Sequence, residues 1–111
     1  MSDTSIIFAY LTVGSPEEAR HIGRSLVEER LAACVNIFDG MTSIYPWQDA
    51  IEEARETVII AKTRGDLFDA LAARVRALHS YTTPCIVALP TARIEANYLA
   101  WLLAETGPSP T

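Results

Sequence analysis

The stretch LAACVNIFDGMTSIYPWQDAIEEARETVIIAKT, residues 31–63, decides how this chain folds. Its first part, residues 31–38, is rich in strand-forming residues. Asp39-Gly40 follows, a pair that favours a turn or a bulge because Gly adopts positive φ without a Cβ clash. A second extended run reaches Pro46-Trp47, and the return leg ends in residues 57–63. We predict a long two-stranded ribbon, which is marginally stable alone and is expected to lie on a partner subunit.

Residues 48–56, QDAIEEARE, allow two interpretations. Their composition favours a helix by propensity alone. A turn followed by a strand would instead place Ile51 and residues 58–60 on one continuous leg opposite residues 34–45. Tertiary pairing commonly overrides local propensity. The residues alone leave both interpretations open, and the family resemblance given below favours the strand, which we predict.

The sequence before the ribbon indicates a strand followed by a helix. Residues 5–13, SIIFAYLTV, form an apolar run typical of a central strand with both faces covered. At the helix start, Ser15 is expected to cap the amide of Glu18, Glu18 to reach back, and Pro16 to occupy the first turn. The helix is predicted to run to about Arg30. Its apolar positions recur at helical spacing: Ala19, Ile22, Leu26 and Val27.

The sequence after the ribbon indicates a helix, then a strand, then a second helix. Asp66 is expected to cap the first of these helices, and residues 80–84 to end it because residues before Pro avoid helical geometry. Residues 85–90 form a short buried strand, and residues 95–105 the last helix. Residues 107–111 are predicted to be a disordered tail. The apolar stripe of the first helix is Leu67, Leu71, Val75 and Leu78.

Size and composition are those of one globular domain, residues 1–106. The chain has 111 residues, of which 50% are hydrophobic, and a net charge of −5 without any run of Lys or Arg. This argues against nucleic acid and anionic membranes as partners. Residues 1–4 lack the positive charge of a signal peptide. Two cysteines are too few for a disulfide framework. We therefore expect a cytoplasmic protein.

The elements together predict an α+β domain in the order β-α-β-β-α-β with an added C-terminal helix. This is the split βαβ pattern of ferredoxin-like folds. Two helices cover one face of the sheet, yet continuous apolar strands indicate that the second face is covered as well. One chain has only its short last helix for that purpose. Burial by further copies of the chain is therefore expected.

Five motifs of this chain resemble, in order and spacing, those of the CutA family. The resemblance runs from about Ile6 to Trp101, and it implies a trimer with a ferredoxin-like fold that acts in divalent-cation (copper) tolerance. The matching residues are Leu31–Asn36, Ser43-Ile44-Tyr45 with Trp47, Glu56 with Lys62-Thr63, His79 with Tyr81 and Pro84, and Tyr98 with Trp101.

Three residues are candidate ligands for copper or another divalent cation. His79 follows the second long helix, and imidazole suits copper and zinc. Otherwise it is a helix-end histidine whose charge complements the helix dipole. Cys34 is a soft ligand for Cu(I) if ionised, or a small buried hydrophobe. Cys85 occupies a position where CutA relatives usually carry Glu, so a thiol would have to serve in place of the carboxylate.

Two departures from the family weaken the expectation of tight copper binding. Proposed family ligands include a Cys near the end of the first strand and a pair of adjacent histidines. Here residues 11–14 are LTVG, and Leu78 precedes His79. No Cys-x-x-Cys or His-x-x-x-His spacing replaces the missing ligands.

A second candidate site lies on the ribbon and its surroundings. Lys62, Glu56, Tyr45 and Tyr81 match family positions, and together they would line a pocket between subunits for a small anion or a metal complex. For Lys62 and Glu56 a structural ion pair is the other interpretation. Large aromatic residues commonly mark subunit interfaces. The expected interface residues are Trp47, Trp101 and Tyr98.

Three functions remain open at this point. The first is a homotrimeric CutA-like divalent-cation tolerance protein that binds copper weakly. The second is a PII-like regulatory trimer that senses a small molecule in clefts between subunits. The third is an enzyme that uses His79 with Lys62 or Glu56 as acid and base. We expect no enzyme, because no nucleophile elbow, phosphate-binding Gly-rich loop or dinucleotide fingerprint is present.

Overall fold

The computed structural model describes residues 5–108 and shows the predicted order of elements. A short 3-10 turn, Gly65–Leu67, precedes the second helix. The elements are β1 (Ile6–Val13), α1 (Pro16–Glu28), β2 (Cys34–Trp47), β3 (Ala50–Arg64), α2 (Phe68–Leu78), β4 (Ile86–Pro90) and α3 (Ala96–Ala104). None of the helices in residues 5–108 combines the length and the apolar character needed to cross a membrane.

The four strands form one antiparallel sheet in the order β2-β3-β1-β4. The apolar strand β1 therefore lies inside the sheet, as its sequence predicts, between β3 and β4. The strands β2 and β4 are opposite edges. Cys34 opens β2 and Cys85 directly precedes β4, and both cysteines are free thiols.

The ribbon consists of β2 and β3, and the strand predicted for residues 50–56 is confirmed. Gln48 and Asp49 form its turn with φ of 49° and 67°, the positive values that a tight hairpin turn requires. The expected start at residue 31 is wrong, since β2 begins only at Cys34. Strand β1 reaches no further than Thr57 of β3, so within residues 5–108 no third strand lies beside the outer part of the ribbon, residues 41–56. The molecule is correspondingly elongated, 49 × 27 × 24 Å.

The main core lies between one face of the sheet and the helices α1 and α2. Alternate residues of β1 and β3 point to this side, and the apolar stripes of α1 and α2 pack against them. Its fully buried large residues include Leu11, Ile22, Leu26, Ile59, Leu71 and Val75.

The second face of the sheet carries a smaller apolar cluster with α3. Ile6 and Leu102 are its buried centre, and Phe8, Tyr98 and Leu99 pack against it. The remaining surface is not covered: several large apolar side chains are exposed in this chain. They include Phe38 of β2, Val87 and Leu89 of β4, Ile44, Trp47 and Ile51 of the outer ribbon, and Trp101 of α3. Ile37 is also exposed, but on the opposite face beside Gly23 of α1.

The helix ends differ from the sequence predictions in three places. Ser15 caps Glu18 as predicted, but Glu18 accepts the amide of Gly14 and not that of Ser15. The helix α1 ends at Glu28, short of Arg30, which takes a positive φ of 60°. Asp66 caps no helix because its carboxylate is engaged by the Arg64 guanidinium at 2.7 Å.

The segment predicted as a disordered tail is held at its first residue. The amide of Gly107 donates to the carbonyl of Arg30 at 2.9 Å. In return, the Arg30 guanidinium donates to the carbonyl oxygens of Gly107 and Ala104, both at 2.7 Å. Arg30 thus satisfies the free carbonyl groups at the end of α3. Residues 109–111 of the predicted tail lie outside the described residues.

Candidate functional site

Several candidate residues gather where β1 ends. Thr12 and Gly14 lie there, next to the first turn of α1, the beginning of β4 and the inner end of the ribbon. The loop between α2 and β4, residues 79–85, wraps around this end of the sheet. It brings His79, Tyr81 and Cys85 towards Glu56 of β3.

His79 is fully buried at the end of α2, and protein groups engage both of its ring nitrogens. Its Nε2 lies 2.7 Å from the carbonyl oxygen of Thr12. Its Nδ1 lies 3.0 Å from the amide of Tyr81. A carbonyl oxygen only accepts and an amide only donates, so Nε2 carries the proton and Nδ1 does not. In this arrangement neither nitrogen offers a lone pair to a metal ion.

Glu18 connects α1 to the loop that follows α2. Its Oε2 accepts the amide of Ser80 at 2.9 Å, and its Oε1 accepts the Ser80 hydroxyl at 3.1 Å and the Gly14 amide at 3.3 Å. Its Oε2 also lies 3.6 Å from Nδ1 of His79. Burial alone raises the pKa of the Glu18 carboxyl, but these donors favour the ionised form and bring the pKa below its ordinary value.

Tyr81 and Glu56 form the polar contact of this site. The Tyr81 phenol donates to Oε2 of Glu56 at 2.9 Å, and its ring lies 4.5 Å from that of His79. Burial and the Glu56 carboxylate raise the pKa of Tyr81 to about 12. Tyr45 acts on the same phenol electrostatically. Of the four predicted ligand-site residues, the structure shows a contact between Tyr81 and Glu56, whereas Tyr45 pairs with Glu52 further out on the ribbon.

Cys85 adjoins this group through Thr12. Burial raises the pKa of its thiol, a hydrogen bond with Thr12 lowers it, and the charge of Glu56 raises it, with a net increase. The thiolate is the form that binds metals and reacts as a nucleophile. The thiol of Cys85 therefore stays protonated at neutral pH.

Lys62 and Cys34 lie away from this group. They face each other across β2 and β3, and Lys62 is six residues from Glu56, about 20 Å along an extended strand. The Lys62 ammonium instead sits 5.5 Å from the ring centre of Phe8 and 5.6 Å from that of Tyr98. An ion pair between Lys62 and Glu56 within one chain is therefore excluded.

The predicted metal ligands do not converge within the chain. Cys34 and Cys85 belong to opposite edges of the sheet, about 14 Å apart for three strand spacings. Across residues 5–108, no three side chains of His, Cys, Asp or Glu are grouped so that they could hold a metal ion. A preformed metal centre thus does not fit this protomer.

The residues expected at an interface are accessible to different degrees. Trp47 near the ribbon tip is 58% exposed and Trp101 on α3 is 43% exposed. Tyr98 is half-buried and lies against Trp101, with ring centres 5.6 Å apart.

Sequence reasoning missed the contact between Glu18 and Ser80. The two residues are 62 positions apart, and Glu18 was predicted only as part of a helix start. The helix-start pattern explains its place near Gly14, but nothing in the pattern indicates that α1 and the end of α2 share this carboxylate.

The match to known proteins covers nearly the whole chain. Residues 7–105 match the model of the family described as CutA1 divalent ion tolerance protein. The divalent-cation tolerance protein CutA of Thermus thermophilus is 54% identical over 97 residues, which are 87% of this chain and 94% of that protein.

Solved structures agree with the fold. The structure of CutA1 from Oryza sativa superposes with a TM-score of 0.91 at 39% identity, covering 96% of this chain and 99% of the other. The periplasmic divalent cation tolerance protein CutA from Archaeoglobus fulgidus gives a TM-score of 0.88 at 44% identity, covering 90% and 97%. Family model, sequence relatives and fold are in agreement, and the chain belongs to the CutA1 divalent ion tolerance protein family.

Proposed function

We propose that this protein acts in divalent-cation tolerance as a homotrimer that binds copper or a similar ion weakly. Membership of the CutA1 family is the observation that carries the proposal. Because both ring nitrogens of His79 are engaged, this residue is not free to act as an acid or base, and a metal ion would have to displace one of these contacts to bind it. We also propose a cytoplasmic location, although a relative of this chain is described as periplasmic.

The exposed ribbon supports assembly. Residues 41–56 form a two-stranded arm to which no other strand of the described part of the chain pairs, and such an arm needs support from another surface to be stable. Ile44, Trp47 and Ile51 on this arm are 58–72% exposed. Burial of these side chains by neighbouring copies would remove the apolar surface from water, which favours association by about 25 cal/mol per Å².

Weak metal binding is what the donor set supports. Three candidate donors lie at this end of β1: His79 and Cys85 each contact Thr12, and Glu56 contacts Tyr81. Each is engaged or protonated: His79 by Thr12 and Tyr81, Glu56 by Tyr81, and Cys85 as a neutral thiol. An ion has to compete with these contacts, which lowers its affinity. Cys34 and Lys62 would contribute to such a site only from another subunit.

A small-molecule sensor is the weaker alternative. It requires Lys62 in the same cleft as Glu56, Tyr45 and Tyr81, and one chain places Lys62 at the far end of β3. Only a neighbouring subunit could supply the ammonium.

Calorimetric titration with Cu(II) and Zn(II) tests the proposal. We expect weak binding by the wild type, weaker binding by His79→Ala and Cys85→Ser, and no change in His21→Ala, which removes an exposed histidine on α1. Unchanged affinity in His79→Ala would remove this residue from the site. Absence of binding to the wild type would contradict the metal-binding role itself.

A further inference from the structure

A chain of polar contacts leads from α1 to the candidate ligand site. It starts at the Glu18 carboxylate, which holds the Ser80 amide and hydroxyl. His79 and Tyr81 flank Ser80, and the Tyr81 phenol ends the chain on Glu56. The segment that carries these residues, 79–85, is neither helix nor strand. Apart from the His79 amide, which donates to the carbonyl of Val75 at 2.8 Å, its contacts among the described residues run through side chains and not along a backbone ladder.

Few contacts fix this segment. His79 is bound to Thr12, Tyr81 to Nδ1 of His79 and to Glu56, and Ser80 to Glu18. Glu18 thus supplies both polar contacts of Ser80 that are observed among the described residues. Hydrogen bonds to an ionised carboxylate are roughly twice as strong as neutral ones. The side chain of Glu18 is only 17% exposed, so water competes little for these bonds.

The place of Glu18 at the start of α1 makes it a fixed reference point. Its own position is set by the helix, which begins with the Ser15 cap on the Glu18 amide. The Gly14 amide, at the end of β1, donates to the same carboxylate. One side chain therefore joins β1, α1 and the loop after α2. A carboxylate held at several points is preorganised and does not have to be ordered when a ligand arrives.

Glu18 influences the candidate ligand site through Tyr81. When its phenol occupies Oε2 of Glu56, the carboxylate has a defined orientation, and no described residue occupies Oε1. We propose that Glu18 is a positioning residue for this site: it fixes residues 79–81 so that Tyr81 orients Glu56, with Oε1 presented to a cationic ligand. The cationic ligand class rests on the proposed function, whereas the positioning itself does not.

Nuclear magnetic resonance of the full-length protein at neutral pH tests the positioning. We would compare wild type, Glu18→Ala, Glu18→Gln and the neighbouring exposed control Glu17→Ala, with the Tyr81 ring signal assigned by Tyr81→Phe. In Glu18→Ala we expect the Tyr81 ring signal to move towards the position it takes in Glu56→Ala, because both changes remove the contact between the phenol and the Glu56 carboxylate. Glu18→Gln should keep most of the wild-type signal, since its amide oxygen still accepts from Ser80.

A double variant separates positioning from the charge of Glu18. If Glu18 acts by placing Tyr81 on Glu56, Glu18→Ala causes no further movement of the ring signal in the Glu56→Ala background. Amide exchange of Ser80 and Tyr81 should accelerate in Glu18→Ala, while the amide of Leu11 in the core keeps its wild-type protection.

Two results would overturn the inference. One is a wild-type Tyr81 signal in folded Glu18→Ala. The other is faster exchange at Leu11 as well, which would show general destabilisation. If Glu18→Ala does not fold, Ser80→Gly with the same readout replaces it, since it removes the hydroxyl contact. If the wild type binds no metal ion, the proposed function is contradicted, but the Tyr81 ring signal and the amide exchange still test whether Glu18 positions the loop.

Discussion

The Tyr81 phenol donates a 2.9 Å hydrogen bond to the Glu56 carboxylate, which joins the loop after α2 to the inner end of the ribbon. Burial, this bond and the negative charge of Glu56 raise the pKa of Tyr81 to about 12. Of the four tyrosines in the chain, we therefore expect Tyr81 to ionise late in an absorbance titration. The late step should vanish in Tyr81→Phe and move to lower pH in Glu56→Gln.

The control for this titration is Glu52→Gln, which removes an exposed carboxylate on the same strand. It should leave the late step in place. A late step that is unchanged in Glu56→Gln would contradict the contact. Circular dichroism of each sample at high pH shows whether the chain is still folded.

Glu18 makes the stability of the fold depend on pH in the acid range. Its pKa in the folded chain lies below the ordinary value of 4.5, so folding favours the ionised form. The stabilisation is fully present above the pKa of the unfolded chain and is lost as pH falls through the folded pKa. We expect Glu18→Gln to flatten this acid loss in urea unfolding, whereas Glu17→Gln should retain it. If the free energy of unfolding of Glu18→Gln falls with decreasing pH as steeply as that of the wild type, Glu18 is not the source of this pH dependence.

Two buried threonines on β3 are expected to respond in opposite ways to the same substitution. Within the described residues, the Thr63 hydroxyl has no hydrogen-bond partner, so Thr63→Val should raise the free energy of unfolding by about 1 kcal/mol. Thr57 donates to Asp39 at 3.2 Å, and Thr57→Val should lower it by about 1 kcal/mol. Urea unfolding measures both. Destabilisation by Thr63→Val would indicate that a further group satisfies its hydroxyl.

The proposed assembly makes a prediction for the ribbon tip. Trp47→Asp places a charge where a neighbouring copy is expected to bury the indole, so we expect monomers or aggregates. Gln48→Asp adds the same charge at the adjacent turn without removing the ring and should leave the assembly intact. Light scattering gives the mass in each case. A mass of three chains for Trp47→Asp would contradict the role of this side chain.

The β-strand of residues 50–56 was predicted correctly from its expected pairing with residues 34–45 together with the family resemblance, although local composition favours a helix. Sequence reasoning failed at Asp66, since the capping rule considers only the following helix and not the competing guanidinium of Arg64. Cap positions depend on such local competition, whereas strands follow long apolar patterns. The element order was therefore predictable and the helix ends were not.

The candidate site was predictable only in part. Glu56 and Tyr81 are in contact, but Lys62 is not near them, because residues six positions apart on one strand are far apart in space. Tyr45 pairs with Glu52, further out on the ribbon. The contact between Glu18 and Ser80 spans 62 residues. It depends on how α1 and α2 pack, and no local pattern encodes that packing.

The shift in register between Phe38 and Met41 separates the outer arm of the ribbon from the part that pairs within the four-stranded sheet. Between the pairs Phe38–Val58 and Met41–Glu56, β2 contains one residue more than β3. Beyond this point the side chains of the outer arm alternate between the two faces with a period of two residues. Removal of the paired residues Ser43-Ile44 and Glu53-Ala54 would therefore shorten the arm without turning any side chain to the wrong face. The reach of the arm can thus be adjusted by insertion or deletion while the body of the domain keeps its own pairing.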